Sequence, residues 1–177
     1  MNSSELKTIN NELENADARE TLKWAIQKFG NELVLSSSMG AEDQVLTDML
    51  MKLDPSIDVF TLDTGRLFPE TYELIDKTND FYKIKIKIFF PDYKQVEEMV
   101  NNKGVNLFYH SVENRKMCCH IRKIEPLKRA FQGRKAWVSG LRRAQSITRT
   151  NVQKVEWDEA NGLVKINPII DWTEEQV

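Results

Sequence analysis

Apolar residues recur at Leu13, Ala16, Leu22, Ala25, Ile26 and Phe29 among charged neighbours. That is a helical period, so residues 4–28 are expected to form a packing helix ended by Gly30. The pattern then shortens. Leu33-Val34-Leu35, within Glu32 to Ser37, is a continuous apolar run that reads as a buried strand, followed by Ser36-Ser37-Ser38-Met39-Gly40 and a helix over 41–52. Ile57 to Leu62 reads as a second strand, ending in Asp63-Thr64-Gly65-Arg66, and Pro69 opens a helix through about Lys77. From Ile84 to Phe90 Lys alternates with Ile, the mark of a strand with one solvated face or an edge position. Pro91-Asp92 breaks it, and Tyr93 to Asn102 returns to helix. Asn106 to Phe131 is mainly helical, with Pro126 marking a fresh start near Glu125 or a kink. Residues 135–138 form a fourth short strand, and 152–157 with 163–166 make a hairpin turning at Asn161-Gly162. Thr173-x-x-Gln176 is a capping-box start whose helix runs only one turn, so a C-terminally truncated version of a longer chain is expected.

Strands alternating with helices predict an α/β fold, a parallel twisted sheet flanked by helices, and no linker divides residues 1–177 into more than a single domain. In such sheets ligands bind beyond the carboxyl ends of the strands. Three post-strand loops land there: Ser36, Ser37, Ser38 and Gly40; Asp63, Thr64, Gly65 and Arg66; and Gly140, Arg142, Arg143, Gln145, Ser146 and Arg149. The first is a candidate phosphate or sulfate cradle, because a helix N-terminus offers unpaired N–H groups and Gly allows close approach. It matches neither the dinucleotide fingerprint nor the Walker pattern, and a serine-rich turn with Glu42 and Asp43 favouring the helix dipole is the plainer alternative. Asp63 and Arg66 are candidate ligand groups, with turn capping by Asp63 as the alternative. The arginines of the third loop suit a phosphate or sulfate through paired hydrogen bonds.

Charge sharpens this picture more than composition does. The net charge is only −2, yet residues 115–149 carry eleven Lys or Arg and one acid, Glu125. A basic segment in an acidic protein suggests a localised anionic ligand. Nucleic acid fits poorly, since the segment lacks interleaved aromatics and the pI is about 5.8. No apolar run reaches the roughly 20 residues of a membrane span, and the first fourteen residues do not form a basic stub and apolar segment, so no membrane association and a cytoplasmic location are expected.

Arg115 to Lys123 holds both cysteines, Cys118 and Cys119, inside this positive run. Adjacent Cα atoms lie about 3.8 Å apart, too close for a relaxed disulfide, so the pair reads as two separate thiolates or as two small residues on a helix. His110 and His120 lack metal-ligand spacing.

Four motifs in order resemble one family, the assimilatory adenosine 5′-phosphosulfate reductases, related to the 3′-phospho form that lacks an iron–sulfur cluster. They are Ser37-Ser38-Met39-Gly40-Ala41-Glu42-Asp43-Gln44; Leu62-Asp63-Thr64-Gly65-Arg66 with Pro69-Glu70-Thr71-Tyr72; Cys118-Cys119 through Lys123-Ile124-Glu125-Pro126-Leu127; and Gly140-Leu141-Arg142-Arg143 with Gln145-Ser146 and Thr148-Arg149. The resemblance implies an adenine nucleotide α-hydrolase-like fold and reduction of adenosine 5′-phosphosulfate to sulfite and AMP, with thioredoxin or a similar dithiol as donor. It implies nucleotide binding by the Ser/Gly and arginine loops, and a Lys123 that approaches the phosphosulfate. It also implies a 4Fe–4S cluster with Cys118 and Cys119 as two of its four ligands. The family's Cys-x-x-Cys pair and its nucleophilic C-terminal cysteine have no match in this sequence. An ATP pyrophosphatase of the same fold, or a noncatalytic nucleotide-binding module, is the alternative; the sequence leaves a homo-oligomer open.

Overall fold

The computed structural model describes residues 1–145 and 152–177. Two helices precede the sheet where the periodicity suggested one: α1 (Ser3–Glu12) and α2 (Ala18–Phe29). Each has its own capping box, Asn2 with Glu5 and Asp17 with Glu20, in which side chain and backbone exchange hydrogen bonds. Two complete N-terminal caps fifteen residues apart divide the apolar stripe into two short helices.

Six strands follow: β1 (Leu33–Ser36), β2 (Asp58–Leu62), β3 (Lys87–Phe89), β4 (Ala136–Val138), β5 (Val155–Asp158) and β6 (Leu163–Ile166). Their order across the sheet is β3-β2-β1-β4-β6-β5, and all pairs are parallel except the β5–β6 hairpin. Between strands run α3 (Ala41–Leu53), α4 (Pro69–Tyr82), α5 (Tyr93–Lys103), α6 (Val112–Cys119) and α7 (Glu125–Ala130). The fold is therefore the expected α/β arrangement, with an antiparallel edge.

Alternate strand residues build the two sides of the core. Leu33, Leu35, Val59, Ala136 and Val138 pack with α2 and α3 on one face. Val34 and Phe60 pack with Ala130 and Phe131 on the other. A central strand buried on both faces explains why β1 is apolar without alternation. β3 is an edge strand with exposed Lys87 and Ile88, shorter than residues 84–90 because it pairs with β2 only through Phe60, Thr61 and Leu62.

Between α6 and α7 the chain stays helical through a widened π turn, His120–Ile124. Pro126, in the first turn of α7, has no N–H to return to the preceding turn. The two alternatives of fresh start and kink thus merge into one rewound helix, with Lys123 on its wide turn.

Candidate functional site

From β1 the chain proceeds to β2 and β3 in one direction, and to β4 and β6 in the other. The crevice beyond the carboxyl ends of β1 and β4 is thus a topological switch point, where open α/β sheets bind ligands. A cleft of 410 Å³ lies there. It is lined by Ser36, Ser37 and Ser38 at the end of β1 and Thr61, Leu62 and Thr64 from β2 and its loop. Glu42 and Asp43 from α3, Gly140, Leu141 and Gln145 after β4, and Leu67 and Lys123 complete the lining. Among the described residues Lys123 is the one cation lining the cleft, and its side chain is exposed.

Two acids that the pattern of residues did not single out as site groups, Glu42 and Asp43, organise this crevice. They occupy the first turn of α3, just after Gly40 at its N-cap. Asp43 is 6% exposed. Its Oδ2 accepts the backbone N–H and the hydroxyl of Ser38, both at 2.6 Å, and the Gly140 backbone amide beside it favours the charged form. Burial pushes its carboxyl above the usual range, against these hydrogen bonds. Glu42 accepts Arg142 Nε at 3.0 Å, Arg142 Nη2 at 2.8 Å and Gln145 Nε2 at 2.9 Å. A hydrogen bond from its own backbone N–H, then the Arg142 guanidinium, holds its carboxyl below the usual range. An acid at the third helical position reaching back over the N-terminus is a familiar sequence signal; the contacts across to residues 140–145 leave none.

The loop between β1 and α3 is tightly specified. Met39 is buried and left-handed, with φ 65°, a conformation that costs a side chain about 1–2 kcal/mol. Its N–H donates to Ser37 Oγ at 3.1 Å. Gly140 is required on the opposite side, because a Cβ there would lie 2.5 Å from Asp43 Oδ1 and 2.9 Å from Glu42 Cβ.

The remaining expected site residues divide into two groups. Ser36, Ser37, Ser38, Thr64, Lys123, Gly140 and Gln145 share the cleft. Asp63 lies behind it, accepting Gly65 N–H and Tyr72 Oη–H, each at 2.7 Å, a turn-capping geometry. Gly65 is left-handed at φ 71°, and Arg122 Nη1 donates to the neighbouring Thr64 carbonyl at 2.6 Å. Arg66 turns away, donating to Val105 O and Asn106 Oδ1 and stacking over Phe108. Arg142 is spent on Glu42, and Arg143 donates to Val152 O and pairs with Asp171. Ser146 and Arg149 lie outside the described residues.

Cys118 and Cys119 end α6, one buried and one exposed, both as free thiols. Cys118 packs with Met99 and Leu107. Among the described residues no group of three or more His, Cys, Asp or Glu converges on a metal position. A 4Fe–4S cluster takes four ligands and the chain holds two cysteines, so its own donors do not complete such a site.

A mostly parallel sheet with a cleft at its switch point, walled by a Ser/Gly loop, places the chain in the adenine nucleotide α-hydrolase-like fold. A crystal structure of phosphoadenylyl-sulfate (PAPS) reductase from Candida auris, a phosphate complex, matches with a TM-score of 0.84 at 28% identity, covering 99% of this chain and 83% of the other. FMN adenylyltransferase of Candida glabrata in complex with ATP matches with a TM-score of 0.59 at 16% identity, covering 94% and 52%, a likeness of fold alone.

Residues 32–177 match the family described as the phosphoadenosine phosphosulfate reductase domain, and the chain belongs to that family. The adenosine 5′-phosphosulfate reductase of Allochromatium vinosum is 47% identical over 147 residues, 83% of this chain and 57% of the relative. That of Sinorhizobium fredii is 43% identical over 169 residues, 96% of this chain and 67% of the relative. This chain thus spans about three fifths to two thirds of the length of these relatives. No helix among the described residues is long and apolar enough to cross a membrane.

Proposed function

We propose that the chain forms the nucleotide-binding part of an adenosine 5′-phosphosulfate reductase. The observation that carries this is the cleft at the switch point, which gathers the Ser/Gly loop, Thr64, Gly140 and Lys123 in a chain 43–47% identical to reductases of that name. The reaction consumes adenosine 5′-phosphosulfate and two electrons from a dithiol, with thioredoxin as the proposed donor. The S–O bond to the phosphate breaks, AMP leaves, sulfite is released and the dithiol becomes a disulfide.

The small serine side chains of the loop after β1 suit close approach by the nucleotide, since they place little bulk in the cleft. Lys123 supplies a point charge where negative charge develops on the leaving phosphate, a contribution that grows as water is excluded. Cys118 and Cys119 are proposed as two ligands of the cluster that the resemblance implies; no step of the reduction is assigned to it. The cytoplasm is the proposed location, where reduced thiols persist.

Equilibrium binding of radiolabelled adenosine 5′-phosphosulfate tests the reading. Saturable binding competed by AMP, and weakened by Lys123→Ala, is expected. Binding of ATP with turnover to pyrophosphate, and none of the phosphosulfate, would overturn it in favour of an ATP pyrophosphatase.

A further inference from the structure

We infer that Asp43 is a positioning residue, whose buried carboxylate fixes the gap between the loops after β1 and β4 and so sets the shape of the nucleotide cleft. The inference rests on the cleft being the nucleotide site. Two loops meet on this one side chain: Ser38 N–H and Ser38 Oγ–H donate to it, each at 2.6 Å, and Gly140 packs so closely that a Cβ there would lie 2.5 Å from Asp43 Oδ1. The loops belong to strands that are neighbours in the sheet but about a hundred residues apart in the chain. Asp43 therefore acts as a rivet between the two halves of the fold at the switch point.

The fit is tight on both sides. The added Cβ of an alanine at 140 would meet the Asp43 oxygen, as above, and Met39 is held left-handed between Ser37 and the start of α3. Neither loop can slide toward the other without a clash, and the loop after β1 cannot move away without stranding a buried acceptor. Asp43 lines the cleft yet is only 6% exposed, so most of its carboxylate is committed to the loops rather than to a ligand.

Ionisation links the rivet to pH. Both Ser38 donors point at Oδ2, and a protonated, neutral carboxyl accepts them more weakly than the carboxylate does, which loosens the arrangement. Burial has already raised its carboxyl, so this proton arrives at a higher pH than for an ordinary aspartate. The charged groups around it are Glu42 from the same turn, whose negative charge adds to the rise, Arg142 held by Glu42, and Lys123 in the cleft lining. Glu42 is held below the usual carboxylate range, so it ionises before Asp43 as the pH rises.

The test measures adenosine 5′-phosphosulfate affinity against pH for the wild type, Asp43→Asn and Gly140→Ala, with circular dichroism as a check of folding. Wild-type affinity is expected to fall on acidification through a midpoint above the usual aspartate range. Asp43→Asn should bind roughly 10- to 100-fold more weakly near neutrality, the scale of hydrogen bonds to a charged acceptor, and with no such midpoint. Gly140→Ala should weaken binding while retaining the midpoint. If Asp43→Asn fails to fold, Ser38→Ala replaces it: the midpoint should move to higher pH, because a bond to the ionised form is gone. A folded Asp43→Asn with wild-type affinity, or a wild-type profile without the acid midpoint, overturns the positioning role and leaves the site standing. Absence of binding by the wild type at every pH would instead refute the site itself.

Discussion

Removing one partner of the Glu42–Arg142 pair tests how the segment after β4 is held. The Arg142 side chain is 8% exposed and that of Glu42 20%, so the pair lies between an exposed salt bridge, with a net value of 0.2–1 kcal/mol at about the median, and a buried one, whose breakage costs roughly 3–5 kcal/mol. Two Arg142 nitrogens reach the same Glu42 oxygen, at 3.0 and 2.8 Å. Glu42→Ala leaves the deeper charge unpaired and is expected to cost about 2–4 kcal/mol. Arg142→Met keeps most of the apolar stem and leaves a carboxylate that still holds Gln145 Nε2 and its own N–H, so its cost is about 1–2 kcal/mol. The double mutant loses both charges together, and its cost should fall short of the sum by roughly 1–3 kcal/mol. Urea unfolding of the four proteins, with slopes compared to confirm two-state behaviour, gives this coupling directly. A coupling near zero, or a larger cost for Arg142→Met than for Glu42→Ala, would refute the reasoning that a buried arginine is held by this carboxylate.

Other outcomes can be checked with the same preparations. Gly65→Ala, at φ 71° with Arg122 Nη1 3.0 Å from the new Cβ, should lower stability by about 1–2 kcal/mol. Leu35→Ala removes a fully buried side chain from the central strand and should cost about 2–5 kcal/mol in the same assay. Tyr82, pushed up to about 12 by burial and by its hydrogen bond to Asp48, should ionise late in an alkaline absorbance titration. A raised folded-state pKa favours the neutral phenol, so its contribution is complete below about 10 and is lost as pH rises toward 12; Tyr82→Phe should show no such loss. After anaerobic incubation with iron and sulfide, Cys118→Ser should retain less iron than the wild type; equal iron in both would count against ligation by Cys118.

Local signals carried far into this fold. The unbroken Leu33-Val34-Leu35 run becomes β1, buried on both faces; the Lys-Ile alternation becomes the edge strand β3; and Pro69 opens α4. Each follows from periodicity or backbone restriction within a few residues. Two elements show where such reasoning stops. Residues 4–28 form two helices because of caps at Asn2 and Asp17, a signal present in the sequence but weaker than the apolar stripe laid over it. The arginine loop shows the other kind of limit. Its basic residues suit an anion by type, yet Arg142 and Arg143 are occupied by acids that lie 100 and 28 residues away in the chain.

What the sequence determined by itself is the alternation of strands and helices, and with it the rim on which the Ser/Gly, Asp63 and Gly140 loops gather. Only the tertiary structure decided which of their side chains face the cleft and which are consumed in holding it. Asp43 and Glu42 illustrate the reason. Helix position alone made them dipole partners and put Ser38 within reach of Asp43, while the hydrogen bonds of Glu42 to Arg142 and Gln145 and the packing of Gly140 on Asp43 exist only because β1 and β4 pair in parallel and bring two distant loops together.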